Sequence, residues 1–260
     1  KVKSSQKHRT PGIPGVGIVR PKEDPLQIDA ERQSDYQSGV GMLLFLVKHT
    51  RPDLANPVRE LSKCMDGATE AAMKELLPVI KYTLDTKDYR LIIKPKDPDG
   101  PNWDLIMFTD GNYAGNKDNC ISVTGFIVYL CGVAISWKSK GQKLGMLSSS
   151  EAEFVTLSEG AKDIKFIVQV LLSMGIPVKL PVIVRVDNVG AIFMAENVTT
   201  SARTRHVDVR YHFVREFVEE GFIKIIFVRT TENTADIFTK NVTGDLNEKH
   251  TGSFLGKKQD

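Results

Sequence analysis

Two apolar runs in this sequence end in aspartate: DLIMFTD at 104–110 and VIVRVD at 182–187. Side chains alternate along a strand, so Asp110 falls in register with Ile106 and Phe108, and Asp187 with Ile183 and Arg185. A strand end is also an ordinary place for a turn aspartate, so neither decides anything alone. Glu151 opens a helical pattern in SSSEAEF and shares a face with Phe154, Val155 and Ser158. A capping box is the plain alternative here, Ser148 with Glu151 or Ser150 with Glu153. Asp236 lies early in TADIFTK, where a lone acid would also suit the helix dipole. One shared cause accounts for all of them more economically than separate accidents. A parallel sheet gathers the C-terminal ends of its strands at one edge, where the following helices begin. Carboxylates collected there would repel, and some would take up protons. Divalent cations remove that penalty, and hard oxygen ligands suit Mg²⁺. Two such ions about 4 Å apart can stabilise the attacking and leaving oxygens of a phosphodiester cleavage.

The elements that must hold these acids are legible as patterns. VTGFIVYL (123–130) and VAISWKS (133–139) read as strands joined by a tight turn at Cys131-Gly132. Residues 148–175 keep a 3,4 apolar spacing and stop at Gly175. A helix from Asn188, a longer one across 206–220, a strand at 222–228 and a short helix at 233–240 complete the order β-β-β-α-β-α-α-β-α. That order implies a five-stranded mixed sheet with helices on its faces, an α/β fold. Ahead of it, 36–86 reads as a small helical subdomain. Asn56 and Pro57 would open one helix and Thr69 would cap another, with Pro78 expected to kink or split it. The turn-rich KPKDPDGPN (94–102) marks a boundary, and the Pro-rich start reads as an arm. The expected organisation is an arm at 1–33, a helical part at 34–95, an α/β domain at 103–243 and a tail at 244–260.

Composition sets outer limits. The 41% hydrophobic and 26% charged content over 260 residues is that of an ordinary globular protein. A net charge of +3 does not by itself mark a nucleic-acid binder. No apolar run reaches the roughly 20 residues needed to span a bilayer. Cys64, Cys120 and Cys131 lack zinc-knuckle spacing, and a reducing compartment is expected.

Several motifs stand in order: FTDGNYAGNKDNCISVTGFIVYLCGVAISWKSKGQ (108–142), LSSSEAEFVTLSEGAKD (147–163), VDNVGAI (186–192), SARTRHVDVRYHFVRE (201–216) and TADIFTK (234–240). Together they resemble the ribonuclease H domain of copia-type retrotransposon Pol polyproteins. YQSGVGMLLFLVKHTRPDLANPVRELS (36–62) is similar to the thumb or connection between the reverse transcriptase and this nuclease. The resemblance implies a ribonuclease H-like fold and Mg²⁺-dependent hydrolysis of the RNA strand of RNA–DNA hybrids, with two ions and Mn²⁺ as an alternative. It implies that Asp110 bridges both metals, that Glu151 and Asp187 hold the one on the leaving-group side, and that Asp236 helps hold the one carrying the attacking water. Implied partners are the hybrid and the upstream reverse transcriptase of the same polyprotein, with a homodimer left open and no membrane. The implied setting is a cytoplasmic virus-like particle, with a nuclear phase left open. The loop RTTENTA (229–235) lacks the histidine that cellular relatives carry.

Other residues could touch the substrate. Asn112 and Asn188 follow closely on Asp110 and Asp187, which suits contact with 2′-hydroxyl groups. Lys138 and Lys140 beside Trp137, and Arg203, Arg205 and His206 on the basic segment, could meet phosphates. A core tryptophan among surface lysines and a solvated basic face are the competing readings. Two other functions compete with the nuclease: a non-catalytic hybrid-binding or structural domain supporting the polymerase, and a DDE-type nuclease or integrase. The presence of all four acids favours catalysis, and WKSK with SSSEAEF argues against the DDE class. No Tyr-x-Asp-Asp turn occurs, so polymerisation is not carried by these residues.

Overall fold

The computed structural model describes residues 7–16, 27–96, 102–115, 120–142, 145–197 and 208–257. The chain divides into two compact units, Lys1–Ile92 with Asn116–Cys120 and Lys240–Asp260, and Ile93–Gly115 with Ile121–Thr239.

The first unit is helical. Helix α1 spans Ala30–His49, α2 Ala55–Ser62 and α3 Glu70–Asp85, followed by a short strand β1, Tyr89–Leu91. Their shared core holds Tyr36, Val40, Leu54, Val58, Leu61, Leu76 and Tyr82. Thr69 caps α3 as expected, accepting from the Ala72 N–H at 3.1 Å. Two local expectations change. Asn56 does not cap α2, which begins one residue before it. Its amide instead donates to Asn241 Oδ1 at 2.9 Å. Helix α3 runs unbroken through Pro78.

The second unit carries the sheet. Strand β2 spans Leu105–Asn112, β3 Val123–Leu130 and β4 Val133–Gly141; helix α4 spans Ser149–Ser173. Strand β5 (Val182–Val186), helices α5 (Val189–Glu196) and α6 (Asp208–Glu219) and strand β6 (Ile223–Phe227) follow. The strand order is β4-β3-β2-β5-β6, with β2–β3 and β3–β4 antiparallel and β2–β5 and β5–β6 parallel. Cys131 and Gly132 both take positive φ in the β3–β4 turn, which matches the twist of a two-residue hairpin. Gly175, at φ +74°, follows the end of α4. Met107, Phe126, Phe154, Ile164, Val184 and Phe217 belong to one buried cluster that is separate from the core of the helical unit. The last expected helix is a 3₁₀ turn, Thr234–Phe238.

Residues 240–260, expected in part as a tail, belong to the first unit. Helix α7 (Gly244–Thr251) is followed by strand β7 (Leu255–Lys257), which pairs antiparallel with β1. From the expected arm, Arg9 donates to Asp245 and Glu248 of α7 at 2.6 and 2.7 Å.

Candidate active site

The parallel pairing of β2 with β5 sets Thr109 opposite Val186, so Asp110 and Asp187, the next residue on each chain segment, follow side by side. The 3₁₀ turn brings in Asp236. One carboxylate oxygen from each of Asp110, Asp187 and Asp236 lies within 4.8 Å of the others. Asp110 and Asp236 are buried, and Asp187 is half-buried.

The fourth acid against this group is Glu153, where sequence reasoning placed Glu151. Glu151 serves the helix start. Its N–H donates to Ser148 Oγ at 3.2 Å, and its carboxylate accepts from the Leu147 N–H at 2.8 Å. That is capping chemistry. Two residues on, about 200° around the helix, the Glu153 carboxyl lies beside Asp110 and Asp187. Burial first, and then the charges of Asp110 and Asp187, push it well above the ordinary glutamate range; the Gly111 N–H, donating to it, works the other way. Its Oε2 is buried and has no hydrogen-bond partner among the described residues.

Two glycines make this approach sterically possible. A Cβ on Gly111 would lie 2.6 Å from the backbone of Ala152 and Glu153. A Cβ on Gly125, opposite Asp110 on β3, would lie 2.5 Å from Thr239 Cγ2 and 2.9 Å from Phe238 Cβ. Further along α4, Gly160 rests against Met107 and Thr109. Glu153 and Gly160 thus lie on the side of α4 that faces β2. Gln142 secures the same turn from the other side, its amide donating to Ala152 O at 2.9 Å.

The 3₁₀ turn is tied to β2 by side chains. Asn233 donates to Thr109 O at 2.8 Å and accepts from the Ala235 N–H at 3.1 Å. The Thr239 hydroxyl donates to Asp110 Oδ2. Neither residue stood out in the sequence, because a polar residue in a polar loop gives no periodic signal.

The remaining candidates are placed as follows. Asn188 caps α5, its Oδ1 accepting from the Ala191 N–H at 3.0 Å and from Ser150 Oγ at 3.1 Å. Asn112 points its amide toward Thr239 O at 3.5 Å. Lys138 lies 3.6 Å from the Asp163 carboxylate and over the Phe126 ring. Lys140 is exposed. Arg203, Arg205 and His206 lie outside the described residues.

The donor set fits divalent cations. Three aspartates share a space of metal-site size, and a buried glutamate oxygen without a partner lies beside one of them. A cation there would offset the burial and the like charges that raise the Glu153 pKa.

A central β2 with Asp110 at its end, parallel to β5 with Asp187, in a five-stranded sheet flanked by helices, defines a ribonuclease H-like α/β domain. The chain is homologous to retrovirus-related Pol polyproteins of copia-type transposons. It is 33% identical over 207 residues to the "Retrovirus-related Pol polyprotein from transposon RE1" of Arabidopsis thaliana, covering 80% of this chain and 14% of that protein. It is 35% identical over 207 residues to the corresponding polyprotein from transposon TNT 1-94 of Nicotiana tabacum, covering 80% and 15%. The chain therefore matches only about one-seventh of the length of these relatives. A solved structure of LC11-RNase H1 in complex with an RNA/DNA hybrid is similar over 52% of this chain and 93% of that one, at 17% identity and a TM-score of 0.40. No family model matches the chain. Among the described residues no helix is long and apolar enough to cross a membrane.

Proposed function

We propose that this chain is a metal-dependent ribonuclease H that cleaves the RNA strand of RNA–DNA hybrids during retrotransposon reverse transcription. The observation that carries the reading is the convergence of Asp110, Asp187 and Asp236 with the buried Glu153 at the C-terminal ends of β2 and β5. Asp110 belongs to the aspartate group and also touches Glu153, and under this reading it would be shared between two ions. Glu153 and Asp187 would complete one side and Asp236 the other. Bound Mg²⁺ or Mn²⁺ would supply charge stabilisation to the attacking and leaving oxygens of the phosphodiester.

The chain's own residues orient the acids: Asn233 and Thr239 tie the turn of Asp236 to β2 and Asp110. Asn188 and Glu151 are both occupied in capping. Exposed Lys140 remains available to a phosphate, whereas Lys138 is engaged with Asp163. Selection of RNA would rest on 2′-hydroxyl groups read in the wide minor groove. The partners under this reading are the hybrid and the reverse transcriptase portion of the polyprotein, acting in a cytoplasmic virus-like particle.

The test is incubation with a labelled RNA–DNA hybrid, with duplex DNA and duplex RNA as controls, with and without Mg²⁺. Cleavage should appear only with hybrid and metal. Asp110→Asn keeps size and hydrogen bonding but removes the central charge. It should lose cleavage by orders of magnitude while binding hybrid, because phosphate contacts by basic residues dominate affinity. Hybrid binding by wild type without cleavage would instead favour a non-catalytic binding domain.

A further inference from the structure

Asp236 is held on a short 3₁₀ turn, an element with few internal hydrogen bonds and no strand of its own. Three residues before it, Asn233 is completely buried and spends both ends of its amide, donating to Thr109 O and accepting from the Ala235 N–H. Three residues after it, Thr239 is buried, and its hydroxyl donates to Asp110 Oδ2. Both bonds from the turn reach consecutive residues of β2, one to the backbone just before Asp110 and one to the Asp110 carboxylate itself. Gly125 leaves the room in which Thr239 sits, since a Cβ there would overlap Thr239 Cγ2.

This pattern answers a physical problem. Carboxylates within 4.8 Å of one another repel, and one of them is carried by a short 3₁₀ turn. Without these two bonds, the turn that carries Asp236 and the Asp110 carboxylate would be held less closely in the metal-free protein. Every cation binding would then have to draw them back together. We infer that Asn233 and Thr239 form a brace that sets Asp236 and Asp110 in ligand geometry before any cation arrives, with Thr239 acting as a positioning residue for Asp110. The inference rests on the metal-site reading above and extends it to two residues that are not themselves carboxylates. The hydroxyl does for this carboxylate what partners behind metal ligands do elsewhere: it fixes which oxygen points inward.

The test uses the whole chain with Thr239→Val, which keeps shape and removes the hydroxyl, and Thr239→Ser, which keeps the hydroxyl. Thermal unfolding is followed in EDTA and across a Mn²⁺ or Mg²⁺ titration, and hybrid cleavage is followed across the same titration. The brace predicts that Thr239→Val needs about 10-fold to 100-fold more metal for half-maximal thermal stabilisation, the range typical of lost support behind a ligand. Its cleavage should recover toward wild type at saturating metal, and Thr239→Ser should behave like wild type in both. A Thr239→Val protein that unfolds earlier in EDTA yet keeps the wild-type metal midpoint would overturn the inference, leaving only a structural hydroxyl. Wild-type protein that is stabilised by metal but cleaves no hybrid leaves the brace standing and removes the nuclease reading. Wild-type protein that takes up no metal overturns both.

Discussion

Glu151 and Glu153 differ by two positions on one helix and point to opposite fates. Glu153→Gln should abolish hybrid cleavage at any Mg²⁺ concentration, because the charge beside Asp110 is gone. Glu151→Gln should leave cleavage near wild type and cost about 0.5–2 kcal/mol of stability through a weakened helix start; the pair is checked by cleavage rates together with chemical denaturation. Near-wild-type cleavage by Glu153→Gln would return the role to Glu151. The raised pKa of Glu153 adds a pH test on metal-free protein. A carboxyl that binds its proton more tightly when folded favours the folded state in acid. That contribution is complete below the ordinary value of 4.5 and is lost as pH climbs toward the higher folded value. In EDTA, the Tm of wild type should therefore fall relative to Glu153→Gln as pH rises above the ordinary glutamate value of 4.5. Parallel profiles would show that Glu153 titrates normally. The three aspartates were legible because each ends an apolar run or sits beside apolar anchors. The glutamate was not. Nine of the ten residues Glu151–Gly160 are buried, so apolar spacing cannot say which side of α4 faces the sheet. The available clue was Gly160, which lies on the Glu153 face and leaves space for Met107 and Thr109.

At the scale of elements, the order of strands and helices followed from alternation, 3,4 spacing and turn residues, and the second unit keeps that order. What spacing could not convey is how closely elements approach. Gly111 lets the first turns of α4 come against β2, and Gly125 lets the 3₁₀ turn lie against β3. The two close approaches bring Glu153 and Thr239 onto the same aspartate. Gly125→Ala should cost about 1–3 kcal/mol, as overpacking in a well-filled core does. It should also weaken metal stabilisation, since the atoms it displaces include the turn that carries Thr239. Gly111→Ala meets backbone on the other side, so relief requires moving the start of α4 and Glu153 with it. The check is the Tm of each variant with and without Mg²⁺. An alanine at either position with unchanged Tm and metal response would show that the helix or turn has slack. The helical unit was less legible for a related reason. Asn56 looked like a cap from its place before Pro57, but its partner, Asn241, lies 185 residues away, where no local pattern reaches.

For the whole molecule, the informative feature is that each unit has its own core and that residues 240–257 belong with the helical one. In that unit Arg51 pairs with Asp53 through two bonds of 2.9 and 2.7 Å and donates to Thr86 Oγ1 at 2.8 Å. Tyr82 donates to Asp53 Oδ2 at 3.0 Å, and Asn247 of α7 donates to the Tyr82 hydroxyl at 3.2 Å and to Arg9 O at 3.0 Å. The network is buried, so a missing partner leaves polar groups without water. Asn247→Ala should cost about 1–3 kcal/mol for that reason. If the two cores open separately, the cost appears only where the network lies. Native-state hydrogen exchange should show faster exchange of α1, α3 and α7 amides in Asn247→Ala, with β2 and β5 amides unchanged. Mg²⁺ should do the reverse and slow exchange in β2 and β5 while leaving α1 and α3 as they were, because an ion that binds one folded unit stabilises that unit by mass action. Equal acceleration of β2 and β5 in the Asn247→Ala protein would mean that the chain unfolds as one body. Residues 240–257 would then have to be counted as part of the nuclease, as the sequence had suggested for 240–243.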